Sequence, residues 1–211
     1  MSVYRDAVCK LCRREKIKLF LKGNRCLTAK CAVEKRKYAP GQHGQERYRE
    51  TEYGIQLREK QKVKRSLLMT EKQFRKFFKA ADREEGPTGT NLLVKLECRL
   101  DNIIRRLGFS ISIVQARQLV LHRHVKVNGK ICNIPSYIVK EGDEISIKAK
   151  SKEIGSIKDS LEDSETVGPP EWLELNTSNL TGKVVRKPVR DEITLVGGDI
   201  KENLIVELYS K

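Results

Sequence analysis

The stretch from Leu92 to Ile147 constrains the fold most, because helix, turn and strand signals follow one another in it without a gap. Apolar residues recur there at steps of three and four residues as far as Leu107. This spacing predicts one amphipathic helix that is capped by Thr90 and ends at Gly108. Its opposite face is basic and is expected to be exposed.

A second helix and a hairpin follow this first helix. Ser112 and Gln115 form a Ser-x-x-Gln capping box, which predicts a helix start, and Val114 is expected on its buried face. Asn128-Gly129 lies between two short alternating runs, and this pair favours a type I′ hairpin because both positions need a positive φ. A closing strand then completes an α+β unit.

Charge is distributed unevenly along the chain. Residues 1–150 contain 35 Lys and Arg against 16 Asp and Glu, whereas residues 151–211 contain 8 against 12. The basic region 1–150 therefore favours a polyanionic partner. No run approaches the roughly 18 apolar residues of a membrane span, and the N-terminus lacks the apolar core of a secretory signal. We therefore expect a soluble cytoplasmic protein without a membrane partner.

The first fifty residues contain a predicted metal site. Two residues separate Cys9 from Cys12, and four separate Cys26 from Cys31. Four thiolates at this spacing can enclose one tetrahedral ion, which would supply folding energy that so polar a segment lacks. We expect one zinc ion, with an iron–sulfur cluster as the alternative. Disulfides in a reducing cytoplasm and four incidental thiols are less favoured interpretations.

Basic residues surround these cysteines, and the loop Pro40 to Gly44 follows them. The glycines of this loop allow backbone N–H groups to approach a phosphate, although His43 is also consistent with an ordinary exposed loop residue. The candidate RNA contacts of this segment are Arg13, Arg14, Lys35, Arg36, Lys37, Gln42 and His43.

Two helical patterns come next. Residues 47–68 predict a long basic helix with few apolar positions, which needs a polyanionic partner; Tyr48 and Tyr53 are expected to pack rather than to stack on bases. Thr70 and Gln73 form a second capping box before a Phe-rich core stripe, and the turn Gly86 to Gly89 marks a domain boundary. The candidate RNA contacts of the basic helix are Arg47, Arg49, Arg58, Lys62 and Arg65.

The C-terminal part is acidic and less regular. The spacing around Ile157 predicts a short helix, and residues 183–185 and 193–195 are expected to be short strands. Asp199 and Glu202 are expected to cap a last helix.

Several motifs resemble one known family. Residues 99–102 (RLDN), 106–109 (RLGF), 127–129 (VNG) and 133–137 (NIPSY) resemble the RNA-binding domain named after the fourth protein of the small ribosomal subunit. The Pro-Gly-Gln-His-Gly loop is similar to the same family, so the resemblance covers the chain end to end. One departure is Arg123, where the family usually has glycine. The resemblance implies crossed helices and a hairpin that bind structured RNA through Arg99, Arg106, Arg117, Lys126, Asn128 and Lys130.

The resemblance also implies a domain layout. It comprises a four-cysteine segment (1–46), a helical basic domain (47–88), an α+β RNA-binding domain with an extension (89–198, core 92–147) and a terminal helix that packs back on the helical domain (199–211). Within this layout, crossed helices would lie on a small antiparallel sheet.

The function implied is that of a structural ribosomal protein. It would bind the 5′ region of small-subunit ribosomal RNA, nucleate assembly and, with the fifth and twelfth proteins, influence translational accuracy near the messenger RNA. The alternatives are an accessory protein of RNA modification or RNA chaperoning and a zinc-finger regulator. The sequence contains no Gly-rich nucleotide loop and no Ser, His and Asp arrangement, so neither an enzyme nor a small-molecule substrate is expected.

Overall fold

The computed structural model describes residues 4, 6–46, 49–164 and 168–210. The chain forms two compact units: unit 1 comprises Met1–Leu93 and Thr194–Lys211, and unit 2 comprises Val94–Ile193. The division lies inside a helix, a few residues beyond the turn at Gly86. None of the helices in the described ranges is long and apolar enough to cross a membrane.

Helices make up most of the regular structure of unit 1. They are α1 (Cys9–Glu15), α2 (Ala32–Lys35), α3 (Glu52–Ser66), α4 (Glu71–Asp82) and the first part of α5 (Thr88–Glu97), with a 3-10 helix at Gly23–Cys26. Unit 2 contains the end of α5, then α6 (Leu100–Arg106), α7 (Ile113–Leu121) and α8 (Gly155–Ser164), with 3-10 helices at Ala149–Ser151 and Arg190–Glu192. The last helix, α9 (Glu202–Tyr209), belongs to unit 1.

Helix α4 confirms its sequence prediction, whereas α3 begins later than predicted. The Thr70 hydroxyl accepts the N–H of Gln73 at 3.3 Å, and the Phe stripe of α4 is buried. In α3 the cap is Thr51, whose hydroxyl accepts the N–H of Gly54 at 3.1 Å. The predicted start at residue 47 was therefore wrong, since residues 49–51 are not helical. Tyr53 is 59% exposed rather than packed, and Tyr48 lies outside the described residues.

The single long helix predicted from Thr90 to Gly108 is two helices, α5 and α6. The chain is extended at Arg99 (φ −70°, ψ 139°), where it forms an isolated antiparallel bridge with Ile138. The N–H of Leu100 bonds to the carbonyl of Tyr137 at 2.8 Å, and Cys98 accepts from the N–H of Val139. Pairing with this distant segment replaces the helical bonds, and local periodicity cannot detect it.

The sheet of unit 2 is antiparallel with the strand order β2-β1-β3-β5-β4. The strands are β1 (Val125–Val127), β2 (Lys130–Ile131), β3 (Glu144–Ile147), β4 (Leu173–Asn176) and β5 (Thr181–Val184). Asn128 and Gly129 both have positive φ (49° and 75°), which confirms the predicted hairpin. Helices α6, α7 and α8 contribute side chains to the same core as the sheet, with Trp172 fully buried in it.

Five local predictions in unit 2 and at the C-terminus have mixed outcomes. Ser112 caps α7 as predicted, but Val114 is 45% exposed rather than buried. Helix α8 confirms the short helix around Ile157. Residues 193–195 do not form a strand. Helix α9 starts after Lys201 without a side-chain cap, so the predicted capping role of Asp199 was wrong.

Candidate nucleic-acid interface

The four N-terminal cysteines line one small cavity of about 10 Å³ in unit 1. Cys12, Cys26 and Cys31 are buried, Cys9 is half-buried, and all four are reduced. Burial raises the pKa of the Cys12 thiol to about 11, so this thiol is protonated at neutral pH without a metal. The donor type and the common cavity fit a thiolate site. However, the described residues contain no set of His, Cys, Asp or Glu side chains arranged as metal ligands.

Arg13 fixes the loop that follows the cysteine segment. Its Nε donates to the carbonyl of Tyr38 at 3.1 Å and its Nη2 to that of Ala39 at 3.2 Å. The guanidinium carbon lies 4.9 Å from the centre of the Tyr38 ring, within cation–π range. In the loop itself, Nδ1 of His43 contacts the carboxylate of Glu46. Arg13 therefore has a structural role beside any contact with RNA.

The predicted RNA contacts on α3 are held in ion pairs. Arg58 and Arg65 both bind the carboxylate of Glu15 at the end of α1, with Arg58 Nη1 at 3.1 Å from its oxygen. Burial raises the pKa of Glu15, although both guanidiniums act in the opposite direction. Lys62 binds Glu59 at 2.7 Å. Arg58 and Arg65 thus connect α3 to α1, whereas Lys62 pairs within α3, and both carboxylates are almost fully buried.

In unit 2, three arginines of the predicted interface belong to an internal network. The carboxylate of Asp101 is completely buried. It accepts two hydrogen bonds from Arg99, at 3.0 and 2.7 Å, and one from Arg117 at 2.9 Å. Arg106 donates its Nε–H to Glu97, whose side chain is also fully buried. Arg99 is 1% exposed, so its guanidinium lies in the protein interior instead of on the surface.

Another group of predicted contacts carries charge without a partner. Within the ranges that the structure describes, these side chains form no ion pair or hydrogen bond, and all except the half-buried Lys126 are exposed. They are Arg14, Lys35, Arg36, Lys37, Arg49, Lys126 and Lys130. Arg47 lies outside the described residues. These groups can neutralise phosphates without first breaking an internal ion pair.

Comparison with known proteins identifies the family. The family model described as "Ribosomal protein S4/S9 N-terminal domain" matches residues 3–97, and the "S4 domain" model matches residues 98–145. The small ribosomal subunit protein uS4 of Desulforapulum autotrophicum is 54% identical over 211 residues and covers all of both chains. The uS4A protein of Alkaliphilus oremlandii is 54% identical and the uS4 protein of Geotalea daltonii 53%, also over the full length of both chains.

The chain belongs to the uS4 family.

Membership of the uS4 family confirms the resemblance inferred from the sequence motifs, and the α+β class is confirmed as well. Arg123 stands in the left-handed region (φ 62°) at the end of α7. The path into the hairpin therefore keeps a conformation that suits glycine, despite the larger residue.

The structure also brings together residues that the sequence pattern did not identify as a site. Lys16, Phe20 and Gly197 line the same basic cavity of unit 1. The positive φ of Lys16 and Phe20 has no sequence signal, and Gly197 is distant in the chain.

Asn128, a predicted RNA contact, donates its amide to Asp143 at 2.7 Å and accepts from the N–H of Glu144 at 2.9 Å. It therefore shapes the hairpin.

Proposed function

We propose that this uS4 protein is a structural, non-enzymatic component of the small ribosomal subunit that binds small-subunit ribosomal RNA directly. The observation that carries the proposal is the set of unpaired cations in both units of a chain that matches uS4 proteins over their whole length. Unpaired cations on the surface of folded units suit recognition of RNA by its shape and phosphates. We propose further that the protein binds the 5′ region of this ribosomal RNA, where binding would nucleate assembly of the subunit.

The unpaired cations and the paired arginines have different proposed roles. Arg36, Lys37, Lys126 and Lys130 would contact phosphates, whereas Arg117 and its neighbours in the network would hold the helices in the geometry that RNA recognises. Contacts with the fifth ribosomal protein and with messenger RNA, and an influence on translational accuracy, belong to the same proposal. So does the location in the cytoplasmic small subunit.

RNA binding can be tested on the hairpin that contains β1 and β2. Replacing Lys126 and Lys130 by Ala should weaken binding of the folded 5′ region and flatten its salt dependence. The log–log slope should fall by up to ~0.9 for each phosphate that the variant no longer neutralises, taking the duplex value as a guide. The matched control replaces Lys158 and Lys183, two exposed lysines of unit 2 outside the hairpin.

The measurement is a filter-binding titration at several salt concentrations. The control should retain the wild-type slope. If the Lys126 and Lys130 variant also keeps the wild-type affinity and slope, the hairpin does not contact RNA, and unit 2 would be a protein-contact module. If the wild-type chain binds the folded 5′ region no better than an unstructured strand, RNA recognition by shape is refuted.

We also propose that Cys9, Cys12, Cys26 and Cys31 hold one zinc ion, with an iron–sulfur cluster as the alternative. The shared cavity and the four thiol donors support this proposal. The role would be structural, because zinc closed by four thiolates has no open position for a substrate. Zinc would then fix the segment that contains the basic residues between Arg13 and Lys37.

The metal proposal is tested by elemental analysis of protein purified without oxygen. About one zinc per chain is expected, and replacing Cys31 by Ser should remove it. Replacing the distant Cys132 by Ser, as the control, should leave the metal content unchanged. Stoichiometric iron with a visible absorption band would assign a cluster instead, and absence of both metals would refute both assignments.

A further inference from the structure

A cavity of about 430 Å³ in unit 1 combines strong positive charge with an apolar lining. Its volume lies within the usual range for sites that hold small molecules or single groups. Ile17, Phe20 and Val33 supply the apolar part. The cations that line it are Arg13, Lys16, Lys18, Arg36 and Lys37, against one carboxylate, that of Glu34.

Only part of this charge is available to a ligand. Lys18 binds Glu34 at 2.7 Å, and Arg13 is engaged with the carbonyls of Tyr38 and Ala39. The other three cations, Lys16, Arg36 and Lys37, are exposed and have no ion pair or hydrogen bond within the described part of the chain. The cavity thus offers an anion three cations that no ion pair or hydrogen bond holds, one of which, Lys37, also acts at longer range to lower the pKa of Glu34.

The backbone around Phe20 is strained, which is a feature that often marks functional sites. Phe20 has φ 49° and Lys16 has φ 56°, a region that bulky residues rarely adopt. Gly197 fixes this arrangement: its N–H bonds to the carbonyl of Lys18 at 3.2 Å. A Cβ at Gly197 would lie 2.8 Å from that oxygen and 2.8 Å from Cε2 of Phe20, so only glycine allows this close approach.

We propose that the cavity accepts one unpaired nucleotide of the bound RNA. Its base would lie against the ring of Phe20, and its phosphate would lie among Lys16, Arg36 and Lys37. Aromatic rings beside a basic surface are the usual means by which proteins hold unpaired nucleotides. The inference rests on the proposed function and adds to it a specific contact: an unstacked base rather than the duplex backbone.

The test uses the full-length protein, purified without oxygen, and the folded 5′ region of the ribosomal RNA. Affinity is measured by filter binding, and chemical probing records which bases become protected in the complex. The aromatic variant is Phe20→Leu, with Tyr53→Leu as its control, an exposed aromatic that does not line the cavity.

A second variant tests the charges separately. It combines Lys16→Ala with Lys37→Ala, and its control combines Lys72→Ala with Lys79→Ala, two exposed lysines of α4. Free nucleoside monophosphate is titrated as a separate arm, because it offers the same chemistry without RNA.

Phe20→Leu should weaken binding by about five- to tenfold, the lower part of the range for removal of one stacking partner, since leucine keeps some apolar contact. One base should regain its reactivity while the salt slope stays unchanged. The lysine variant should expose the same base and lower the log–log slope by up to ~0.7, the single-strand value for one phosphate that is no longer neutralised. Both controls should behave as wild type.

If Phe20→Leu binds with wild-type affinity and protection pattern, the nucleotide site is refuted while RNA binding stands. Should Phe20→Leu fail to fold, as judged by circular dichroism, the lysine variant decides by the same base reactivity. Saturable binding of the free nucleotide, abolished in Phe20→Leu, with unchanged protection of the RNA would also overturn the proposal. Failure of the wild-type protein to bind RNA at all would refute the proposed function instead.

Discussion

Replacing Asp101 by Asn should strongly destabilise unit 2, although the two side chains have almost the same shape. The carboxylate accepts three hydrogen bonds from guanidinium groups, two from Arg99 and one from Arg117. Asn keeps one acceptor oxygen and turns an N–H₂ group toward a cation. Because Arg99 is 1% exposed, water cannot take the place of the missing acceptor. Breaking such a buried pair costs about 3–5 kcal/mol, a large part of the ~5–15 kcal/mol of a typical domain.

Urea unfolding followed by tryptophan fluorescence measures this destabilisation. Trp172 is the only tryptophan of the chain and is fully buried in the core of unit 2, so its emission reports on that unit. The control is Asp159→Asn, an exposed carboxylate on α8, which should change stability by less than about 0.5 kcal/mol. If Asp101→Asn unfolds within about 0.5 kcal/mol of wild type, the network does not hold the helices together.

Two further changes test other parts of the fold. Arg123→Gly should stabilise the protein by about 0.5–1 kcal/mol in the same urea assay. The reason is that the relief of about 1–2 kcal/mol of left-handed strain exceeds the cost of the added entropy of the unfolded chain. A decrease in stability would show that the Arg123 side chain makes a favourable contact. In unit 1, burial acts to raise the pKa of Glu71, but hydrogen bonds from Lys60, Lys64 and Tyr209 outweigh it and lower the pKa to about 2. This carboxylate therefore stabilises the fold above its unfolded pKa near 4.5, and the stabilisation disappears as the pH falls toward 2. Because the side chain is 46% exposed, the effect should be only ~1 kcal/mol. Between pH 4.5 and 2, thermal stability measured by circular dichroism should therefore decrease less in Glu71→Gln than in the wild-type protein.

The features that the sequence predicted correctly depend on residues within a few positions of one another. A capping hydroxyl such as that of Thr70 bonds to an N–H three residues later, and Asn128-Gly129 needs only its own backbone conformation to form a turn. The family motifs are equally local. For this reason the α+β class, helices α4, α7 and α8 and the hairpin could all be predicted from the sequence.

The features that the sequence missed depend on distant contacts. The break at Arg99 exists because residues 137–139 supply backbone partners, and apolar spacing continues across it without interruption. Glu15 binds Arg58, which lies 43 residues away, so charge patterning alone could not distinguish a buried partner from a free cation. The exposure of Val114 likewise reflects which neighbours the folded chain places over α7.

The internal ion pairs change the meaning of the net charge of +15. Arg99 and Arg117 share Asp101, and Arg58 and Arg65 share Glu15, which matches the ability of the planar guanidinium to bind carboxylates with several donors. A phosphate could recruit such an arginine only by leaving a buried carboxylate without its partner, at a cost of several kcal/mol. Lys126 and Lys130 carry no such penalty. The salt dependence of RNA binding should therefore follow the number of unpaired cations, while removal of a paired arginine should appear first as reduced stability and only through it as reduced affinity.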